Sequence, residues 1–218
     1  MNRLYNALQL KRLYQLKQMG FRYVPLIEKK APAGNVLPDN LDALRQMVAQ
    51  CHLCPLSKTR TKTVFGEGDP HASLMFVGEG PGAQEDITGR PFVGRAGELL
   101  TKMIESVLEI PRERVYIANI VKCRPPNNRA PTPEEAHSCL PYLQKQIRLV
   151  APSVIVALGA TAYHYLTGDR TGITKVRGRI IDMEGFKLVP TYHPSYLLRN
   201  PSAKKEAYRD LLTIRGLL

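Results

Sequence analysis

Residues 73–82 read SLMFVGEGPG, an apolar run that leads directly into a turn rich in glycine. Three further short apolar runs, rich in β-branched residues, follow along the chain at residues 115–121, 154–158 and 187–191. Helical patterns separate the first three runs, and the clearest cover residues 96–108 and 133–150. Strands that alternate with helices indicate a parallel sheet enclosed by helices. We therefore predict an α/β fold, a three-layer α/β/α sandwich around a central four-stranded, mainly parallel sheet.

Unusual residues follow these runs. The first run continues into Gly78, Glu79 and Gly80. The second run contains Asn119 near its end, and the fourth is followed by His193. The carboxyl ends of parallel strands meet at one edge of the sheet, and ligands bind at that edge in open α/β folds. We therefore expect these residues to converge on one pocket.

The glycine-rich turn after the first run differs from the common phosphate-binding loops. It lacks the Gly-Lys-Ser/Thr of a P-loop, and Pro81 removes an amide that a dinucleotide site would use. The small residues Gly80 and Gly82 instead allow the backbone to approach a flat, amide-like ring closely.

The charge balance of the chain points to a polyanionic partner. Of 218 residues, 31 are Lys or Arg and 19 are Asp or Glu, which gives a net charge of +12. Such an excess favours nucleic acid. No apolar run approaches the ~20 residues of a transmembrane helix, and Lys11, Arg12 and Lys17 interrupt any signal-peptide core. We expect a cytoplasmic protein without membrane association.

The N-terminal part of the chain differs from the rest. Residues 1–30 carry seven basic side chains against one acid, with leucines at the spacing of an amphipathic helix. Residues 31–40 have the composition of a linker. We therefore expect a basic helical extension and linker at residues 1–40 and a domain at residues 41–218.

At the start of the domain, Asn40 or Asp39 can cap a helix that begins at Leu41, and Thr132 can cap the helix at residues 133–150. Residues 172–185 read as a hairpin or loop.

The four cysteines are spaced C-x2-C, then 68 residues, then C-x15-C, and they are Cys51, Cys54, Cys123 and Cys139. Disulfides are the poorer interpretation for an intracellular chain, and metal or cluster ligation is the better one. The spacing allows either zinc or a 4Fe-4S cluster, and unligated core cysteines are the alternative. A bound group would have a structural role, because these residues lie away from the predicted pocket.

Four separate stretches of the chain resemble the family 4 uracil-DNA glycosylases of thermophilic bacteria and archaea. They are GEGPGAQEDITGRPFVGRAG (78–97), NIVKCRPPNNRAP (119–131), ITKVRG (173–178) and HPSYLLRNPS (193–202). The resemblance extends over about residues 41–202. It implies hydrolysis of the N-glycosidic bond of deoxyuridine in DNA, single- or double-stranded, as the first step of base-excision repair. It also implies a structural 4Fe-4S cluster on the four cysteines, with zinc less favoured. We expect the protein to be a monomer.

The resemblance assigns roles in uracil binding and catalysis. Phe92 would stack on the uracil ring, Asn119 would bind its amide edge, and His193 would donate to uracil O2 and stabilise the departing anion. The backbone amides of Gly78, Glu79 and Gly80 would cradle the base, and Glu79 would lie near the attacking water. Glu85 would close the pocket against the methyl group of thymine, or alternatively only stabilise a helix start.

One departure from the commonest uracil-DNA glycosylases concerns the activation of water. Those enzymes carry an Asp and a Tyr in the first motif, where this chain has Gly80 and Gly82. The general base is therefore left open, with Glu79 or Asn119 as the group that positions water. Catalysis would rest mostly on stabilisation of the leaving group.

The DNA-contacting residues are expected in the last two motifs. The apolar pair Leu197 and Leu198 beside Arg199 fits a wedge pushed into the base stack, with Arg199 on a phosphate. A buried helix start is the alternative for the two leucines. Ser195 and Arg177 are further DNA contacts. Two other functions compete with a glycosylase: a uracil-DNA binder that traps the base covalently, and a cluster-stabilised nucleic-acid module without catalysis.

Overall fold

The computed structural model describes residues 37–218. The predicted basic extension at residues 1–40 lies outside the described residues, except for residues 37–40. Within the described part, no helix is long and apolar enough to cross a membrane.

A six-stranded sheet forms the centre of the domain. Its strands are β1 (Glu67–Gly68), β2 (Leu74–Gly78), β3 (Tyr116–Asn119), β4 (Val154–Leu158), β5 (Ile181–Met183) and β6 (Phe186–Thr191). They lie in the order β1-β3-β2-β4-β6-β5. The four inner strands are parallel and are the four that the sequence predicts, whereas β1 and β5 pair antiparallel at the two edges. The sequence therefore predicted four of the six strands. The two that it missed, β1 and β5, have too few residues to show an alternating pattern.

Eight α-helices connect the strands or flank them in the described residues. They are α1 (Leu41–Ala49), α2 (Ala83–Thr88), α3 (Arg95–Met103), α4 (Pro133–Val150), α5 (Ala160–Thr167), α6 (Ile173–Val176), α7 (Pro194–Arg199) and α8 (Lys204–Arg215). A wider helical turn, Ile104–Leu108, continues α3 and completes the helix predicted at residues 96–108. The expected hairpin forms between β5 and β6, and α6 adds one helical turn before it.

Both predicted caps are formed. The Asn40 side chain accepts a hydrogen bond from the Ala43 amide at 2.8 Å and begins α1. At α4, the Thr132 hydroxyl accepts from the Glu135 amide, and the Glu135 carboxylate accepts from the Thr132 amide at 2.8 Å. Each cap satisfies helix-end amides that have no partner within the helix.

The two faces of the sheet pack against different helices. In β2, Met75 and Val77 belong to the core that contains α1, α4 and α5, whereas Leu74 and Phe76 belong to the core that contains α3, α7 and α8. Alternate residues of a strand point to opposite faces, so a central strand covered on both sides is apolar throughout. This arrangement confirms the three-layer α/β/α sandwich.

The register of the parallel strands brings their carboxyl ends together. Gly78 at the end of β2 lies opposite Asn119 at the end of β3, and Leu158 at the end of β4 lies opposite Thr191 at the end of β6. The residues after each strand therefore emerge at one edge of the sheet.

Gly97 lets the first turn of α3 pack directly on the backbone of the preceding loop. A Cβ atom at Gly97 would lie 1.9 Å from the carbonyl oxygen of Phe92. We expect Gly97→Ala to lower the free energy of unfolding by about 1–3 kcal/mol, because the loop must move away. Urea denaturation measures the change. Gly172→Ala is the control, since nothing lies within 4 Å of its added Cβ, and it should stay within about 0.5 kcal/mol of the wild type. Equal stability of both variants would contradict the prediction.

Candidate active site

A pocket opens where the four parallel strands end. The side chains predicted to bind uracil all line it, and so does the turn at Gly80. They are Glu79, Glu85, Phe92, Asn119 and His193. The structure thus brings together residues that lie up to 114 positions apart in the chain (79 to 193), as the argument from strand ends predicts.

Gly78 allows two side chains to meet behind the pocket. A Cβ atom at this position would lie 2.5 Å from Asn119 Oδ1 and 2.6 Å from Phe92 Cζ, so any side chain here would displace both. Phe92 itself has a φ of +52°, in the left-handed region that a non-glycine residue rarely adopts. Such a conformation persists only where the surrounding structure enforces it. The ring is therefore held in a defined place in the wall of the pocket.

Glu85 supplies part of that enforcement. One carboxylate oxygen accepts from the amides of Val93 and Gly94 at 2.9 and 3.0 Å, and the other accepts from the Gly82 amide at 3.1 Å. The carboxylate therefore ties the glycine-rich turn to the loop that carries Phe92. Both interpretations of Glu85 from the sequence remain compatible with its place, because it caps α2 and also lines the pocket.

Asn119 carries a polar atom without a partner. Its side chain is 1% exposed, and its Oδ1 atom is buried with no hydrogen bond. An unsatisfied buried acceptor costs about 1–3 kcal/mol. The backbone carbonyl of the same residue accepts from the Lys122 ammonium at 2.9 Å. The side-chain oxygen is therefore ready to accept a hydrogen bond from a ligand that enters the pocket.

His193 is held as a neutral imidazole of defined tautomer. Its Nδ1 accepts a hydrogen bond from the Ser195 amide at 3.1 Å, so the ring proton of the neutral imidazole lies on Nε2. Burial lowers the pKa of His193 to about 4, and the nearby Arg199 adds to that effect. The ring lies beside Phe92, with centroids 5.7 Å apart. At neutral pH the pocket therefore contains a hydrogen-bond donor from an uncharged histidine.

Glu79 is fixed by a neighbour that the sequence argument did not assign. Its carboxylate accepts a short hydrogen bond from the Thr161 hydroxyl at the start of α5. The Glu79 carbonyl accepts from the Val121 amide at 3.2 Å. Glu79 thus holds a half-buried carboxylate at the edge of the pocket.

The four cysteines line a second, small cavity of about 10 Å³. It lies between the end of α1, the segment after β3, and α4. All four thiols are free; Cys123 and Cys139 are buried, and Cys51 and Cys54 are half-buried. Arg60 donates to Cys123 Sγ at 3.2 Å, and the Lys122 amide donates to Cys139 Sγ at 3.3 Å.

The donor set at this cavity is informative about what it can hold. Within residues 37–218, no group of three His, Cys, Asp or Glu side chains is close enough together to hold a single metal ion. That finding does not separate one zinc ion from a cluster. Four thiols do line one cavity, with N–H donors directed at two of the sulfur atoms, and this is a ligand set that either a zinc ion or an iron–sulfur cluster uses.

Comparison with known proteins places this site in a family. The Uracil DNA glycosylase superfamily matches residues 65–212. A Type-4 uracil-DNA glycosylase of Thermotoga maritima is 55% identical over 164 residues, which cover 74% of this chain and 85% of the relative. The chain belongs to the type-4 uracil-DNA glycosylases. Two archaeal members, from Sulfurisphaera tokodaii and Saccharolobus solfataricus, are 45% and 44% identical and cover 82% and 83% of this chain, with 85% and 87% of their own lengths aligned.

Two of the predicted DNA contacts of this type-4 glycosylase lie elsewhere than the sequence implied. Leu197 is 1% exposed and packs in the core with α3 and α8, so it does not fit a wedge, whereas Leu198 is half-buried. Arg177 pairs with the buried Asp210 and lies over the ring of Tyr192, 5.3 Å from its centroid, which leaves little of its charge for phosphate. A helix start that buries its leucine was the alternative, and the structure favours it.

The other two predicted contacts do lie at the pocket of the type-4 glycosylase. Arg199 is exposed and Ser195 is half-buried, and both line the pocket beside His193. Sequence reasoning missed Thr161 and Lys122 as partners of site residues. Thr161 comes three residues after the third predicted strand, at the same edge of the sheet, but the strand-end argument gave it no role. Lys122 gave no such signal, because burial of a lysine is not visible in sequence.

The neutral state of His193 can be measured in this type-4 glycosylase. We expect its Cε1 proton to titrate in NMR with a midpoint near 4, well below the ordinary histidine pKa of about 6.5. Because the unfolded chain binds this proton first, stability should fall as the pH is lowered from about 6.5 towards 4. The variant His193→Asn assigns the signal and should weaken that fall. A midpoint near the ordinary value would contradict the desolvated pocket.

Proposed function

We propose that this chain hydrolyses the N-glycosidic bond of deoxyuridine in DNA, releases uracil, and leaves an abasic site that starts base-excision repair. The observation that carries the proposal is the buried, unpartnered carboxamide oxygen of Asn119, which lies in the same pocket as Phe92 and a neutral His193. A flat ring with one N–H flanked by two carbonyl groups matches this set of partners.

The base must first leave the duplex. Flipping costs a few kcal/mol of stacking and pairing, and less from a mismatch or a single strand. In the pocket the uracil ring stacks on Phe92. Asn119 accepts the uracil N3–H through Oδ1 and donates from its amide to O4, since a carboxamide gives and accepts at once. The hydrogen bond from N3–H satisfies Asn119 Oδ1. The unfavourable free energy of that unpaired acceptor in the empty pocket is therefore removed when uracil binds.

His193 stabilises the leaving group. As the bond between C1′ and N1 breaks, its electron pair passes to the uracil ring and the sugar becomes oxocarbenium-like. The Nε2–H of a neutral imidazole donates to uracil O2, where this negative charge develops. Because the pKa of His193 is held near 4, the residue donates a hydrogen bond throughout and does not need to transfer its proton.

Glu79 positions the attacking water. Its carboxylate, oriented by Thr161, accepts one water proton while the water oxygen bonds to C1′ on the face opposite uracil. The backbone of Glu79 and Gly80 borders the base, whereas Gly78 lies behind the pocket against Asn119 and Phe92. Glu85 maintains the wall of the pocket through the loop at Val93 and Gly94, and this wall excludes the methyl group of thymine.

The positive charge of the chain serves DNA binding. A net charge of +12 attracts the phosphate backbone without regard to sequence. Arg199 and Ser195, at the rim of the pocket, contact the phosphates that flank the flipped nucleotide. Single- and double-stranded substrates both fit this mode of binding. A cytoplasmic location and a monomeric state stay predictions from the sequence.

The cysteine cavity holds a structural 4Fe-4S cluster in this proposal. Cys51 and Cys54 follow α1, Cys123 follows β3, and Cys139 lies in α4, so one cluster crosslinks three elements. Bound there, the cluster supplies a rigid crosslink and negative charge. It needs no part in the hydrolysis, since the cysteines do not line the uracil pocket.

A labelled oligonucleotide with one uracil tests the activity. We expect a strand break only after alkali on a denaturing gel, which marks an abasic site, and none with thymine in place of uracil. An intact strand would refute the glycosylase, and a slow, denaturant-resistant band would indicate covalent trapping. His193→Ala should lower the single-turnover rate by about 10²–10³-fold, with DNA affinity retained. The exposed His71→Ala is the matched control and should leave the rate unchanged.

The cofactor has its own measurement. Protein purified without oxygen should be brown, with about four iron and four sulfide ions per chain. Replacement of Cys139 by Ser should lower the iron content and the melting temperature together, because the crosslink between β3 and α4 is lost. A colourless protein with one zinc ion per chain would overturn the cluster and favour a single metal.

A further inference from the structure

Lys122 is a charged side chain in the interior of the domain, between the two cavities. It is 1% exposed. Its ammonium donates to the backbone carbonyl of Asn119 at 2.9 Å, and its own amide donates to Cys139 Sγ at 3.3 Å. Its carbonyl accepts from the Val64 amide at 2.8 Å, so the residue is held on three sides. One residue thus connects the two sites: its side chain binds the Asn119 backbone and its own backbone amide binds Cys139, in the lining of the cysteine cavity.

The charge of Lys122 has no ordinary counterion. In residues 37–218, none of the ion pairs involves this lysine. A buried ammonium without a carboxylate is costly, and proteins pair such charges or bind them to anionic groups. The acidic groups that border Lys122 are the thiols of the cavity. When a metal is bound, these thiols are thiolates, and their negative charge supplies the counterion that the Lys122 ammonium otherwise lacks.

The same lysine fixes the end of β3. The Asn119 carbonyl lies past the last strand pair, where the chain turns towards Cys123. A hydrogen bond from a charged donor holds that turn more firmly than a neutral one would. The Asn119 carboxamide makes no hydrogen bond through Oδ1. Its direction therefore depends on its packing against Gly78 and on the backbone, which Lys122 and the Ile120 amide hold.

We propose that Lys122 is a positioning residue that couples the cysteine site to the uracil pocket: its ammonium is balanced by the cysteine-ligated group and in turn fixes the backbone of Asn119. The inference rests on the proposed function for the role of Asn119 and of the cysteines. It predicts that loss of this one charge weakens the hold on the cluster and misdirects the catalytic carboxamide at the same time.

Lys122→Met tests the coupling in the purified holoenzyme, because methionine keeps an apolar chain and removes both charge and donor. We expect a single-turnover rate lowered about tenfold, with DNA affinity within about twofold. Iron should be lost to a chelator several-fold faster than from the wild type. Amide exchange at residues 117–121 should accelerate. Lys102→Met, at an exposed lysine on α3, is the matched control and should change none of these.

A double-mutant cycle separates positioning from general destabilisation. If Lys122 acts through Asn119, Lys122→Met should have less than about a twofold effect on rate in an Asn119→Ala background. Independent, multiplicative effects would overturn the proposal. Iron retention equal to that of the wild type would also overturn it. If the methionine variant does not fold, Lys122→Arg takes its place: it keeps the charge, so it should retain iron while its rate defect disappears in the Asn119→Ala background.

Failure of the inference and failure of the proposed function give different results. A wild type that releases no uracil refutes the glycosylase, and a wild type without iron refutes the cluster. Chelator loss and amide exchange do not depend on activity, so they still test whether Lys122 holds the cysteine site and the end of β3. Unchanged exchange at residues 117–121 in Lys122→Met would show that the lysine fixes nothing there.

Discussion

The active-site arrangement depends on a steric constraint at the end of one strand. Gly78 lies opposite Asn119 in the parallel register, and any Cβ atom there would collide with both the Asn119 carboxamide and the Phe92 ring. The absence of a side chain at Gly78 lets an amide and an aromatic face come together over the backbone. Gly97 also has no side chain where space is needed: its helix, α3, packs directly against the Phe92 carbonyl. These two contacts set the position of Asn119 and of the Phe92 loop in the wall of the pocket.

The pocket is also organised by charges and hydrogen bonds that are left incomplete. Asn119 Oδ1 is buried without a partner, which is unfavourable for a polar atom, and burial keeps His193 neutral down to a pKa of about 4. The surrounding structure imposes them: Lys122 holds the Asn119 backbone and the Ser195 amide occupies Nδ1 of His193. A stable domain tolerates such unfavourable local free energies at one site. In the proposed function, the substrate relieves them when it binds.

Most of this architecture could be predicted from the sequence, and the exceptions have physical causes. The central strands β2 and β4 are apolar throughout because both faces are buried, so runs such as residues 154–158 are plain in the sequence. The edge strands β1 and β5 have two and three residues and carry no such pattern. Strand-end logic located Glu79, Asn119 and His193. It could not show that Arg177 is neutralised by Asp210, because that pairing joins residues 33 positions apart across the fold, nor that Leu197 faces the core, since period alone does not orient a six-residue helix.

The glycines of the first motif explain why this enzyme works without an Asp at the place where commoner relatives have one. A Cβ atom at Gly80 would lie 2.7 Å from Val121 Cγ2, and one at Gly82 would lie 2.7 Å from Glu85 Oε2. Neither position has room for an acid or an aromatic side chain while Val121 and Glu85 stay where they are. Glu85 in turn holds the Phe92 loop, so an exchange at Gly82 would disturb the stacking surface. The space at Gly80 and Gly82 is thus given to the close packing of Val121 and Glu85, and in the proposed mechanism the carboxylate that meets the water comes from Glu79 instead.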